Sequence, residues 1–144
     1  MGLKVSKIIV NKAPVMRSLS KWQSKAFRKF GAFVRNAARW SMRPAPKKGN
    51  KTSAPGEPPY TRTGGVRKNI FYAVDYNARS VVIGPVRKSG GVGAPEALEY
   101  GGYSYIYNPD SKKRIRTSIE ARPYMRPAFE KGLERLDEIM LSVK

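Results

Sequence analysis

Residues 17–42, RSLSKWQSKAFRKFGAFVRNAARWSM, decide how the rest of the chain must be arranged. Within them Leu19, Trp22, Gln23, Ala26, Phe27, Phe30, Phe33, Val34, Ala37 and Ala38 recur at i, i+3, i+4 and i+7. That spacing predicts a long amphipathic helix with one face turned to a core. Lys21, Lys25, Arg28, Lys29, Arg35 and Arg39 fall largely on the opposite face. Gly31 lies inside the helix, where it lowers propensity by about 1 kcal/mol against alanine but can admit a close neighbour. For the aromatic side chains of the stripe, core packing is the better reading than stacking on nucleic-acid bases.

Working outward, Leu3 to Val10 is rich in β-branched residues and reads as a short strand or extended arm. Asn11, Lys12, Ala13 and Pro14 are expected to interrupt it, which gives an N-terminal arm over 1–16. On the other side, residues 43–65 contain five prolines and four glycines and read as a long loop. Loops of this length tend to be functional or disordered, so a basic one is expected to need a partner to order it.

Beyond the loop the period becomes two. Ile70, Tyr72, Val74 and Tyr76 alternate with Phe71, Ala73 and Asp75, Asn77 and Ala78 turn the chain, and Ser80 to Gly84 return as the second strand of a hairpin. Residues 88–94 form a flexible link, and Pro95 opens a short helix that stops at Gly101 and Gly102. Tyr103–Tyr107 and Arg114–Ile119 form a second hairpin, with Tyr103, Tyr105 and Tyr107 on one face as a packing surface. A last helix is expected from Pro127, with Phe129, Leu133, Leu136, Met140 and Val143 as a narrow apolar seam. The expected class is α+β: a long N-terminal helix, an antiparallel sheet of about four strands (two hairpins) with a short intervening helix, and a C-terminal helix. A single domain spans 17–144.

The 144 residues carry 29 basic and 10 acidic side chains, a formal net charge of +19. The excess is uneven. Residues 1–90 hold twenty Lys/Arg against Glu57 and Asp75, whereas residues 91–144 are close to neutral. Such a field calls for nucleic acid, an anionic membrane surface or acidic protein faces as partner. The residues expected to meet phosphate or an acidic partner are Lys21, Lys25, Arg28, Lys29, Arg35 and Arg39 with Lys47, Lys48 and Lys51 of the loop.

Chemistry is sparse. The chain has no histidine and no cysteine, which removes His- and Cys-based nucleophile systems, thiolate metal sites and disulfides. Glu96 with Glu99, and Glu134 with Asp137 and Glu138, are the only acid groupings suited to Mg²⁺, and solvated helix faces explain them better. The glycines at 90, 91 and 93 lack the Gly-Lys-Ser/Thr ending of a phosphate-binding loop. The residues thus predict no catalytic site, no cofactor and no metal. No apolar run approaches the ~20 residues of a membrane span, and the start of the chain lacks the pattern of a secretory signal. Folding in a reducing cytoplasm is the expectation.

Four stretches occur in a telling order: SAPGEPPY at 53–60, TRTGGVRKNI at 61–70, PEALEYG at 95–101 and ARPYMRPAF at 121–129. Together they resemble the head–tail joining, or tail-completion, family of tailed double-stranded-DNA bacteriophages over about residues 20–140. The resemblance rests on Pro59, Thr63, Gly64, Arg67, Ile70, Glu99, Tyr100, Gly101, Arg122, Pro123, Tyr124, Arg126 and Pro127. Gly65 and Val66 depart from the family's pattern, and the basic N-terminal segment lies outside it. The resemblance implies a non-enzymatic subunit of a homo-oligomeric ring, commonly a hexamer, in the neck of the virion. Its implied partners are portal, adaptor or head-closure proteins, a tail terminator or tail tube protein, and double-stranded DNA passing through the bore, with no membrane. An adjacent tail-terminator or head-closure ring is a neighbouring reading. A ribosomal- or nucleoid-type nucleic-acid-binding module is the rival from another class.

Overall fold

A computed structural model describes residues 12–47, 52–86, 94–108 and 110–143. The long amphipathic stretch is one helix, α1, Lys12–Ser41, roughly 45 Å long at ~1.5 Å per residue. It begins earlier than its sequence suggests. Pro14 does not break it, because Pro14 lies in the first turn, where backbone N–H groups have no intrahelical acceptor. The expected arm therefore becomes helix over 12–16, and its Leu3–Val10 segment lies outside the described residues.

Ala26, Phe30, Val34 and Ala38 form the buried line of α1, one residue every fourth position, and Met42 continues it just past the helix end. Phe33 and Ala37 pack against its flank. The expected stripe is buried only from Ala26 onward: Leu19 is 53% exposed and Trp22 40%. Among the described residues, the elements that bury this side of α1 cover it only from Ala26 onward.

β1 (Ile70–Asp75) and β2 (Ser80–Pro85) pair antiparallel, with Tyr72 opposite Ile83 and Val74 opposite Val81. The Asp75 carboxylate closes the turn by accepting the Asn77 and Ala78 N–H groups, each at 2.9 Å. This hairpin lies tight on α1. A Cβ at Gly31 would stand 2.6 Å from Cδ2 of Tyr72 and 3.0 Å from Cγ2 of Val81, so the glycine permits the approach.

β1 is preceded by α2 (Gly65–Lys68), a single helical turn. Gly64 leads into it at φ 74°, a left-handed conformation that favours glycine. α3 (Ala94–Tyr100) follows the first hairpin. The second hairpin is β3 (Gly102–Asn108) with β4 (Lys113–Ile119). Both expected hairpins are present, and they form two separate two-stranded sheets. The class is α+β.

The C-terminal helix starts two residues before Pro127 and is broken once, into α4 (Met125–Glu134) and α5 (Leu136–Leu141). Its expected seam needs correcting. Ala128 and Gly132 face the core, while Phe129 and Leu133 are 45% and 49% exposed. A Cβ on Gly132 would meet Cγ2 of Val34 at 2.6 Å, so α4 lies too close to α1 for large side chains between them. After the break at Arg135, Leu136, Ile139 and Val143 do turn inward. The core is Phe30, Val34, Ala38, Met42, Ile70, Tyr124 and Ala128. Among the described residues, no helix is long and apolar enough to cross a membrane.

Candidate assembly site

The first turn of α4 has backbone N–H groups to satisfy, and Tyr124, which precedes it, supplies no side-chain cap. Glu99 of α3 supplies it instead. One carboxylate oxygen, Oε2, accepts the N–H groups of Tyr124 at 2.9 Å and Met125 at 3.0 Å. Oε1 accepts the Arg126 N–H at 2.8 Å. Glu99 is only 9% exposed. A carboxylate at a helix N-terminus is favoured both by the helix dipole and by charge-assisted hydrogen bonds. Burial, with the Glu99 charge nearby, holds the Tyr124 phenol well above its usual pKa.

Other parts of the quoted stretches meet at the same place. Gly101, at φ 77°, lets the chain turn where a Cβ would stand 3.2 Å from the Ala121 nitrogen. The Arg122 N–H donates to the Leu98 carbonyl at 2.6 Å. Arg122 Nε donates to the Ser53 carbonyl at 3.0 Å, and its Nη2 lies 3.6 Å from the Glu120 carboxylate. Gly56 N–H donates to the Ala121 carbonyl at 2.8 Å. Further along, Thr61 N–H donates to Arg43 O at 2.9 Å and Ala45 N–H to Thr61 O at 3.0 Å, closing a parallel bridge between Pro44 and Thr61. Thr61 Oγ1 accepts the Gly64 N–H at 2.9 Å, and the Thr63 hydroxyl accepts that of Gly65 at 3.4 Å.

This corrects the expectation that the 43–65 loop needs a partner to order it. Its described parts are bound to their own chain, and Ser53 and Pro59 are buried. Prolines and glycines block regular ladders but not isolated hydrogen bonds to a neighbouring strand of chain. Lys48 and Lys51 lie outside the described residues, and Lys47 is exposed.

Most of the resemblance-bearing residues therefore hold the fold. Ile70 and Tyr124 are core residues. Pro123 and Pro127 flank the start of α4, and Arg126 pairs with Glu130 at 3.1 Å on its surface. Tyr100 is the outlier, 77% exposed beside the capping glutamate.

The basic face of α1 is not one face. Arg39 Nη2 donates to the carbonyls of Lys68 at 3.0 Å and Ile70 at 2.8 Å, and burial, then Arg35 and Arg67, lowers its pKa. Arg35 lies 5.4 Å over the Tyr72 ring. Arg28 donates to the Tyr76 hydroxyl at 2.6 Å, a bond that raises its pKa. Lys29 donates to the Ser142 carbonyl and to its hydroxyl. The last four cations thus tie α1 to its neighbours. Lys21 and Lys25, with Ser20, Ser24, Arg28 and Tyr76, line an open depression of about 360 Å³.

Tyr103 and Tyr105 are on the exposed side of β3, as their alternation with Ser104 implied. Arg116 from β4 lies 4.1 Å over the Tyr103 ring. Sequence reading passed over Trp40, which is 75% exposed with Arg67 stacked 5.6 Å from its ring. Its signal was available: Trp40 sits two residues from Ala38, on the side of the helix away from the buried line. Among the described residues no three acidic side chains gather as a metal group. Glu99 is committed to α4, and Glu138 pairs with Arg135 at 2.7 Å.

No protein-family model, curated protein or solved structure matches this chain.

Proposed function

We propose that this chain is a structural subunit of a ring at the head–tail junction of a tailed phage. It completes the tail and joins it to the capsid portal or connector, with double-stranded DNA passing through the bore. The observation that carries the reading is the mutual engagement of the quoted stretches. Residues 53–56, 98–101 and 120–126 are bonded to one another through Ser53, Glu99 and Arg122. They behave as one construction and not as scattered coincidences, which strengthens a resemblance built on their order.

An assembly role also suits the surface. Apolar side chains are exposed at Leu19 and Trp22 of α1, at Phe71 and Val82 of the first hairpin, and at Tyr103 and Tyr105 of the second. Leu19 and Trp22, one turn apart on α1, leave apolar surface that association would cover. A chain without histidine or cysteine offers little to catalysis.

One observation favours a second reading, a nonspecific nucleic-acid-binding module: the depression lined by Lys21, Lys25 and Arg28. Phosphate contacts of that kind are sequence-independent and weaken steeply with salt. Light scattering in moderate salt, followed by negative-stain imaging, separates the two. Rings support the neck reading. A monomer that binds short duplexes with a steep salt slope replaces it with the nucleic-acid module.

A further inference from the structure

At the C-terminal end of α1 lies an open depression of about 530 Å³, lined among others by Trp40, Arg43, Glu57, Pro58, Tyr60 and Lys131. That is the size of a small-ligand pocket. Three parts of the chain build it: the end of α1, the 57–60 segment and α4. Trp40 is 75% exposed. Arg67 lies over one face of its indole, 5.6 Å from the ring centre, and the exposure leaves the other face open. Tyr60 adds a second, partly exposed aromatic ring.

The 57–60 wall is held at both ends. Before it the Gly56 N–H donates to the Ala121 carbonyl at 2.8 Å, and after it the Thr61 N–H donates to Arg43 O at 2.9 Å. Pro58 and Pro59 restrict the backbone between these anchors, and Pro59 is buried. The charged groups around the depression are uncommitted by comparison. Arg43, Glu57 and Lys131 are exposed, and none has an ion-pair partner among the described residues.

We propose that this depression binds an unpaired nucleotide of a single-stranded nucleic acid and prefers guanine. The base stacks on the open face of Trp40 and against Tyr60, while Arg43 and Lys131 take the flanking phosphates. The Glu57 carboxylate accepts N–H groups from the edge of the base. Guanine suits it best, because its ring N–H and amino group stand side by side, one donor for each carboxylate oxygen. Thymine offers one N–H, set between two carbonyl oxygens that the carboxylate repels. An acidic peptide would engage the two cations but would bring its own carboxylates against Glu57. A duplex offers phosphates and keeps its base faces stacked inside. An unpaired nucleotide joins a flat aromatic face, N–H donors and negative charge in one ligand. The site is separate from the depression at Lys21 and Lys25, which lie in the first half of α1, and it does not depend on whether the chain forms a ring.

The chain has two tryptophans, so Trp22→Phe in the full chain leaves Trp40 as the only indole. In that background Trp40 emission is titrated with a short all-thymine strand, the same strand with one central guanine, and the latter annealed to its complement. The guanine-bearing strand is expected to quench Trp40 and to bind about tenfold more tightly than the all-thymine strand, whereas the duplex leaves the emission unchanged. Glu57→Ala is expected to abolish the guanine preference without weakening the all-thymine strand, a result that loss of general attraction for anions cannot produce. Trp40→Ala, read by anisotropy of a labelled strand, is expected to weaken both strands about tenfold with circular dichroism unchanged. Arg43→Ala with Lys131→Ala should weaken both and flatten their salt dependence. No quenching by the guanine-bearing strand at low salt overturns the proposal, as does a guanine preference that survives Glu57→Ala. Equal binding of strand and duplex that Trp40→Ala leaves untouched overturns it as well. Quenching by a polyglutamate peptide but by neither strand replaces the nucleotide with an acidic protein partner.

Discussion

Glu99 and Tyr124 are 25 residues apart in sequence and joined at 2.9 Å, the carboxylate of one accepting the backbone N–H of the other. The same carboxylate continues to Met125 and Arg126, so a single side chain from α3 fixes where α4 begins. That position in turn sets α4 against α1 and places Tyr124 in the core.

Glu99→Gln keeps the size of the side chain and replaces one acceptor oxygen by a donor nitrogen. At least one buried N–H at the start of α4 then loses its acceptor, and the charge favoured by the helix dipole is gone. The expected loss is about 2–3 kcal/mol, the usual range for a buried charge-assisted hydrogen bond. Urea unfolding followed by circular dichroism measures it. A change within error would mean that water substitutes for the carboxylate.

Tyr124→Phe tests the opposite case. The Tyr124 hydroxyl is buried without a hydrogen-bond partner among the described residues, so its removal at neutral pH should leave stability unchanged or slightly raised. The phenol's pKa is raised by burial. Its contribution is therefore fully present below the unfolded value of ~10 and declines as pH rises from there toward the folded value. The wild type should lose stability more steeply than Tyr124→Phe in that alkaline range. Parallel slopes would show that the ring does not resist ionisation.

Gly132→Ala would raise helix propensity by about 1 kcal/mol on an exposed helix. Here the new methyl would meet Cγ2 of Val34 at 2.6 Å, and Val34 is fully buried. Overpacking of about 1–3 kcal/mol should exceed the propensity gain. A fall in thermal midpoint is expected, and a rise would show that α4 can back away from α1.

Arg39→Ala removes both hydrogen bonds to the carbonyls of Lys68 and Ile70, and the cation 5.8 Å over the Phe71 ring. Destabilisation of about 1–3 kcal/mol is expected. Lys21→Glu, in the open depression beside Tyr76, should instead act on binding, reducing the salt dependence of any association with duplex DNA. Unfolding curves and DNA titrations on the same variants separate the two effects. Loss of DNA binding on Arg39→Ala in a fully folded chain would contradict the division.

The order of elements was legible because each signal is local. Alternation over Ile70–Asp75 and helical spacing over Ala26–Met42 are set by neighbours within one or two turns, and any fold must respect them. Pro14 and Pro127 misled the helix starts by two to five residues, since a proline in a first turn looks in sequence like a boundary. The resemblance-bearing stretches were visible as strings, but their work was not. Glu99 read as a solvated acid, and Arg122 as part of a motif, until α3, the 52–60 segment and the start of α4 came together.

What the sequence by itself determined is therefore the α+β class, the two hairpins, the long helix and the charge imbalance between the two parts of the chain. Only the tertiary structure decided that the hairpins stay separate and that Ala128 and Gly132 face α1 in place of Phe129 and Leu133. It likewise decided that Arg28, Lys29, Arg35 and Arg39 of α1 serve internal contacts, while Leu19 and Trp22 of the expected stripe stay exposed. The physical reason is that periodicity states which side of an element is apolar. How closely two elements approach, and how far one outruns the other, depends on volumes and lengths that only the packed chain brings into contact.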